Sequence, residues 1–204
     1  HTHVHTTDPD LDGKALSDGE VWEAALRALL LEKKVLTTIE LHDQMNRTAS
    51  QSSAFGASII AKAWEDQNFK KALLDNPKAA IADLGHDVSK MPDLVIVENT
   101  LDVHNVVVCT LCSCYPRYML GPPPEWYRSV AYRARIVRDP REVLAEFVLN
   151  ISADTKIQIY DSTADLRYMV MPLCPSGGDE MPPAQLQTII TRDSMIGVGL
   201  PKLS

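Results

Sequence analysis

Long apolar runs are missing from this sequence. Nothing approaches the roughly 18 consecutive apolar residues that span a bilayer, and no basic-then-apolar leader opens it. Positive charge is also short: 20 Lys and Arg stand against 27 Asp and Glu, a net charge of −7. Phosphate backbones are held by clustered Lys and Arg, so nucleic acid is a poor partner for this chain. Cysteines number only four, and without a secretion signal they read as thiols rather than a disulfide framework. With 45% hydrophobic and 23% charged residues among 204, the expectation is a cytoplasmic, globular protein. Its length fits one domain, or one domain with an appendage.

The opening His1, His3 and His5 and the polar residues after them predict a flexible tail over 1–15, with weak metal collection as the minor reading of the histidines. Ser17 and Glu20 match a capping box ahead of a helix over 21–34. Trp22, Ala25, Leu26, Leu29 and Leu30 fall on one stripe of that helix. Thr37 and Glu40 repeat the signal for a second helix through Met45, and 46–53 is a polar break. Residues 16–50 therefore read as a helical arm with something to embrace, and 51–204 as the main, metal-binding domain. There, 56–84 is helical, punctuated at Asp66 and at Asn76-Pro77, with Gly85 as its stop. Short β-branched runs at 94–97, 106–108, 156–160 and 168–171 read as mixed strands. Helices are expected over 141–147 and 183–190. The fold class is α+β.

The chemistry is concentrated in Val108-Cys109-Thr110-Leu111-Cys112-Ser113-Cys114-Tyr115-Pro116, with three of the four cysteines inside six positions just after a strand. Thiolate is the metal-binding form of cysteine, and a metal offsets the repulsion among three such charges. Zinc and iron–sulfur sites normally take four protein ligands. His104 and Cys174 are the obvious further donors, but the first reads as a hydrogen-bonded surface residue and the second as a small buried apolar one. The cluster thus looks short of a fourth side chain, which leaves room for an open, catalytic position.

Cys109-Thr110-Leu111-Cys112-Ser113-Cys114 resembles the claw of nitrile hydratase α subunits. The resemblance extends through Val97-Glu98-Asn99-Thr100, Leu120-Gly121-Pro122-Pro123, Trp126-Tyr127, Tyr132-Arg133, Val137-Arg138-Asp139-Pro140-Arg141, Asp161-Ser162-Thr163, Arg167-Tyr168-Met169-Val170 and 191–197. It implies a layered α/β main domain (α-β-β-α) behind the arm. It also implies metal ligands Cys109, Cys112, Ser113 and Cys114, with Ser113 and Cys114 giving backbone amide nitrogens. Cys112 would be oxidised to a sulfinic and Cys114 to a sulfenic acid, and Cys112, Ser113 and Cys114 would form the catalytic centre. Such a donor set suits one non-corrin Co(III) or Fe(III), and oxidation of sulfur restores Lewis acidity to the ion. Thr110 and Tyr115 lean toward the cobalt group. The implied reaction is that of a lyase hydrating a nitrile to its amide. The implied assembly is a heterodimer or heterotetramer with a β subunit that lends arginines to the oxidised cysteines, loaded by a metallochaperone.

Three segments depart from the family pattern. Arg117-Tyr118 stands where many members have Trp and Pro, and an Arg there is similar to the metal-bearing subunit of thiocyanate hydrolase. Val88-Ser89-Lys90-Met91-Pro92 lacks a Gln-Gly-Glu, and Leu173-Cys174-Pro175-Ser176-Gly177-Gly178 replaces an Arg-Pro motif. Thiocyanate hydrolysis is therefore the alternative enzyme, and a structural zinc module the alternative outside enzymes. Arg133, Arg138, Arg141 and Arg167 are expected to pair with carboxylates or to meet a partner. Trp126 and Tyr127 are expected to pack, and Asp161 to be a turn residue or an acceptor behind the claw. No arginine but Arg117 is expected close to the claw.

Overall fold

The computed structural model describes residues 18–37, 52–112 and 114–201. The expected tail, the Ser17 cap, the second arm helix beyond Thr37, the break at 46–51 and Ser113 lie outside the described residues. The chain divides into two compact units, 1–47 and 48–204. The first contains the helix Asp18–Glu32, on which Trp22, Leu26 and Leu29 are exposed, Trp22 by 75%.

The second unit opens with three helices, Ala54–Glu65, Gln67–Asp75 and Pro77–Asp83. Both joints are capped restarts. Asp66 Oδ1 accepts from the backbone of Asn68 and Phe69 at 2.9 and 3.0 Å. Asn76 Oδ1 accepts from Ala79 N at 3.1 Å, with Pro77 at the first helical position, where its missing N–H is no loss. Gly85 follows at φ +87, the left-handed stop that favours glycine.

The strands are β1 Asp93–Glu98, β2 Val103–Val108, β3 Lys156–Asp161 and β4 Leu166–Met171. They pair as two parallel ribbons, β1 with β4 and β2 with β3, which sharpens the expectation of mixed strands. Val106, Val107 and Val108 are all fully buried, as parallel strands covered on both faces require. Between β2 and β3 run the helices Arg117–Leu120, Glu125–Arg128, Val130–Arg135 and Pro140–Glu146. Only the last has a counterpart in the sequence reading, because four to six residues are too few to display a helical period. The helices Pro183–Ile189 and Arg192–Ile196 follow β4, the first packing on Ala54–Glu65. Helices around short parallel ribbons make the chain α+β.

One polar network ties the ends of this frame. His104 is not the surface residue expected but is 4% exposed. Its Nε2 meets the Gly197 carbonyl at 2.7 Å and its Nδ1 the Asn99 amide nitrogen at 3.3 Å. Asn99 Oδ1 accepts from Asn105 N, and Asn105 Nδ2 donates to the Glu98 carbonyl, both at 2.7 Å. Burial holds the His104 pKa below the usual imidazole value, although the bond to Gly197 opposes the shift. The neutral ring then donates from Nε2 and accepts at Nδ1. Gly197 sits at φ +90, where an added Cβ would lie 2.0 Å from the Asn105 carbonyl oxygen.

Candidate metal centre

β2 runs directly into Cys109, which is buried, and the chain then curls back on itself. Cys112 Sγ lies 3.3 Å from Cys109 Sγ and 3.1 Å from Cys114 Sγ. All three sulfurs fall within 4.8 Å of one another, the one grouping of three or more potential metal donors among the described residues. Cys112 is exposed, whereas Cys109 and Cys114 are buried. Cys112 N also donates toward Cys109 Sγ at 3.3 Å.

The parallel register explains what holds this loop. Val108 stands opposite Asp161, so the last residue of β3 reaches the root of the cluster. Asp161 Oδ1 accepts from Thr110 N at 2.9 Å and Oδ2 from Thr110 Oγ1 at 2.5 Å. Of the two roles open to Asp161 from sequence, acceptor behind the claw is the one adopted. Arg133 Nη1 donates to the Cys112 carbonyl at 3.1 Å and Tyr127 Oη to the Cys114 carbonyl at 2.9 Å. Tyr132 Oη donates to the Val107 carbonyl at 3.0 Å. Trp126 and Tyr127 pack as expected, edge-on to Tyr132 and Tyr115 respectively.

Beside the sulfurs lies a cavity of about 310 Å³. Cys112, Cys114, Arg117 and Arg167 reach it, with Met91, Leu94 and Met119 among its apolar walls. Arg167 occupies β4 opposite Leu94 of β1. The expectation that Arg117 alone stands near the claw is therefore corrected twice, by Arg133 and by Arg167. Both lie far from the claw in sequence, and only the fold returns them to it. Arg141 donates to the carbonyls of Ile151, Ser152, Ala153 and Thr155 rather than to a carboxylate. Cys174 is half-buried and outside the thiol group.

The donor set fits a transition metal. Soft sulfur without carboxylate favours cobalt, iron or zinc over magnesium or calcium. Burial, with help from the Cys112 contact, pushes the Cys114 thiol up to about 12, and the Arg167 charge opposes that rise. Metal binding to such thiols releases their protons.

Fold and site together define a cysteine-claw metal protein: three thiols at a strand end, clamped by Asp, Arg and Tyr. The chain matches the family described as nitrile hydratase, alpha chain, over residues 17–199, and it belongs to that family. It is 45% identical over 179 residues to the low-molecular weight cobalt-containing nitrile hydratase subunit alpha of Rhodococcus rhodochrous, covering 87% of this chain and 86% of that one. It is 38% identical over 198 residues to the thiocyanate hydrolase subunit gamma of Thiobacillus thioparus, covering 92% and 82%. Among solved structures it resembles a double mutant of the iron-type nitrile hydratase from Comamonas testosteroni Ni1, with TM-score 0.84, 40% identity and coverage of 91% and 92%. A recombinant thiocyanate hydrolase with partially modified cobalt centers matches at TM-score 0.84, 38% identity and 92% of both chains. Among the described residues no helix is long and apolar enough to cross a membrane.

Proposed function

We propose that this chain is the metal-bearing subunit of a nitrile hydratase, converting a nitrile and water to the amide. The observation that carries this is the trio of sulfurs within 4.8 Å at the end of β2, opening on a cavity. Cys109, Cys112 and Cys114 supply sulfur, and the backbone nitrogens of Ser113 and Cys114 complete the protein donors. Cys112 is carried as a sulfinic and Cys114 as a sulfenic acid. The metal is cobalt: Thr110 fits that group, and the Rhodococcus rhodochrous relative is named as cobalt-containing; iron is the alternative. When bound, a trivalent ion supplies the Lewis acidity that polarises a nitrile or its water. The oxygen on Cys114 then serves as nucleophile or base toward a substrate seated against Met91, Leu94 and Met119. Asp161, Arg133 and Tyr127 keep the claw at the cavity edge and touch no substrate.

A β-type partner subunit covers this face, contributes arginines to the oxidised cysteines and is gripped by the arm of residues 16–50, while 51–204 forms the catalytic domain. Two apolar surfaces support it: Leu111 at the claw tip is 90% exposed, and Trp22, Leu26 and Leu29 are exposed on the arm helix. Loading by an activator protein in the cytoplasm completes the reading.

Thiocyanate hydrolysis is a second reading favoured by one observation. The departures at 88–92 and at Arg117-Tyr118 converge, since Met91, Pro92, Arg117 and Tyr118 all line the claw cavity. An exposed arginine there suits an anionic substrate. Turnover of a simple aliphatic nitrile and of thiocyanate by the protein purified with its partner separates the two. Nitrile hydration dominating supports the first; thiocyanate turnover with inert nitriles replaces it with the second.

A further inference from the structure

Arg167 lines the claw cavity from β4. Its Nε and Nη1 are buried and have no hydrogen-bond partner among the described residues. Buried guanidinium N–H groups without an acceptor are costly, and a fold keeps them only where an acceptor arrives. Among the described residues, the lining of the cavity includes no Asp or Glu to provide one. The same cavity is lined by the sulfur-bearing Cys114 and Cys112.

We propose that Arg167 is the claw's own anion receptor, its buried guanidinium, which has unpartnered N–H groups at Nε and Nη1, supplying a donor to an anionic oxygen carried by the sulfur of Cys114. This rests on the oxidised-claw reading above. Three sulfur-derived anions and two amide anions against a 3+ ion leave two negative charges in excess, and a buried excess requires cations with matched donors. Guanidinium carries its N–H donors in one rigid plane and stays charged, which suits it to an anionic oxygen better than a flexible ammonium. Arg117, on the same cavity but exposed, is left for the substrate side. The partner's arginines then join a claw whose own chain already supplies one cation.

The test uses the protein purified with its partner, as wild type, Arg167→Gln, Arg167→Lys and Arg117→Gln. Three readouts are taken: metal content, the visible charge-transfer band, and the mass of the claw peptide with and without dimedone, which traps sulfenic acid. Wild type should carry about 48 Da of added oxygen on the claw and little dimedone adduct. Loss of a cationic donor raises the energy of the sulfur electrons, so Arg167→Gln should shift the band to longer wavelength and become dimedone-reactive. Arg167→Lys keeps the charge but not the rigid plane of donors and should fall between. Arg117→Gln should keep the wild-type band, metal content and dimedone protection. If Gln prevents assembly, Lys alone decides, and a wild-type band with a protected claw in it overturns the proposal. The same holds for metal-loaded Arg167→Gln whose only change is weaker thiocyanate binding, since Arg167 would then serve a substrate anion. A wild-type claw of unmodified thiols removes the oxidised-claw reading and the proposal with it; failure in the variants alone removes only the proposal.

Discussion

Two polar clusters lie within a few residues of each other on β2 and differ in completeness. At its start, His104, Asn99, Asn105 and the Gly197 carbonyl form a buried network in which donors meet acceptors. At its end, three thiols crowd together, a thiol resists ionisation, and two guanidinium nitrogens lack an acceptor among the described residues. A satisfied network explains itself by the backbone it joins. An unsatisfied one at the same strand points outside the polypeptide, to an ion.

The comparison breaks most sharply at the sulfurs. Cys112→Ala should abolish metal content and turnover together while the melting curve of the metal-free chain barely moves, and a fully metallated, active variant would end the claw assignment. On the other side, Gly197→Ala drives a Cβ into the Asn105 carbonyl at a left-handed φ. It should cost about 4 kcal/mol in denaturant unfolding, near the top of the single-substitution range. Asp161→Asn keeps the shape of the Thr110 clamp and loses its charge. Metal affinity measured against a chelator should fall about 10- to 100-fold with little change in stability.

Acid should separate the clusters further. The folded pKa of His104 lies below the unfolded value of 6.5, so the neutral ring contributes stability that is complete above about pH 6.5. That stability is lost as pH falls from there through the folded value. The urea midpoint of the chain should drop over that window, and His104→Gln should flatten the dependence. Tyr127→Phe sits between the regions and should have the smallest effect. It removes one buried donor from the Cys114 carbonyl, costing about 1 kcal/mol by thermal melting while metal content stays at the wild-type level.

Much of this was legible in the sequence. The cysteine spacing announced a metal site, Asn76 announced its cap, Asp66 marked a break between helices, and the β-branched runs marked all four strands. The misses share a cause. Arg133 and Arg167 reach the site through packing across long stretches of chain, and His104 is buried by a glycine 93 residues away, which no local pattern reports. The parallel pairing of β2 with β3, which carries Asp161 to Thr110, is likewise a property of topology and leaves no mark at either residue.

The central claim is that the unsatisfied end of β2 exists for a redox-inert trivalent metal in an open, sulfur-rich site. Metal analysis and a visible spectrum of the protein purified with its partner test it directly. The account predicts one cobalt ion per chain, with absorption in the visible from sulfur-to-metal charge transfer. One zinc ion per chain and a spectrum empty above the ultraviolet would contradict it, and would make the three thiols a structural site.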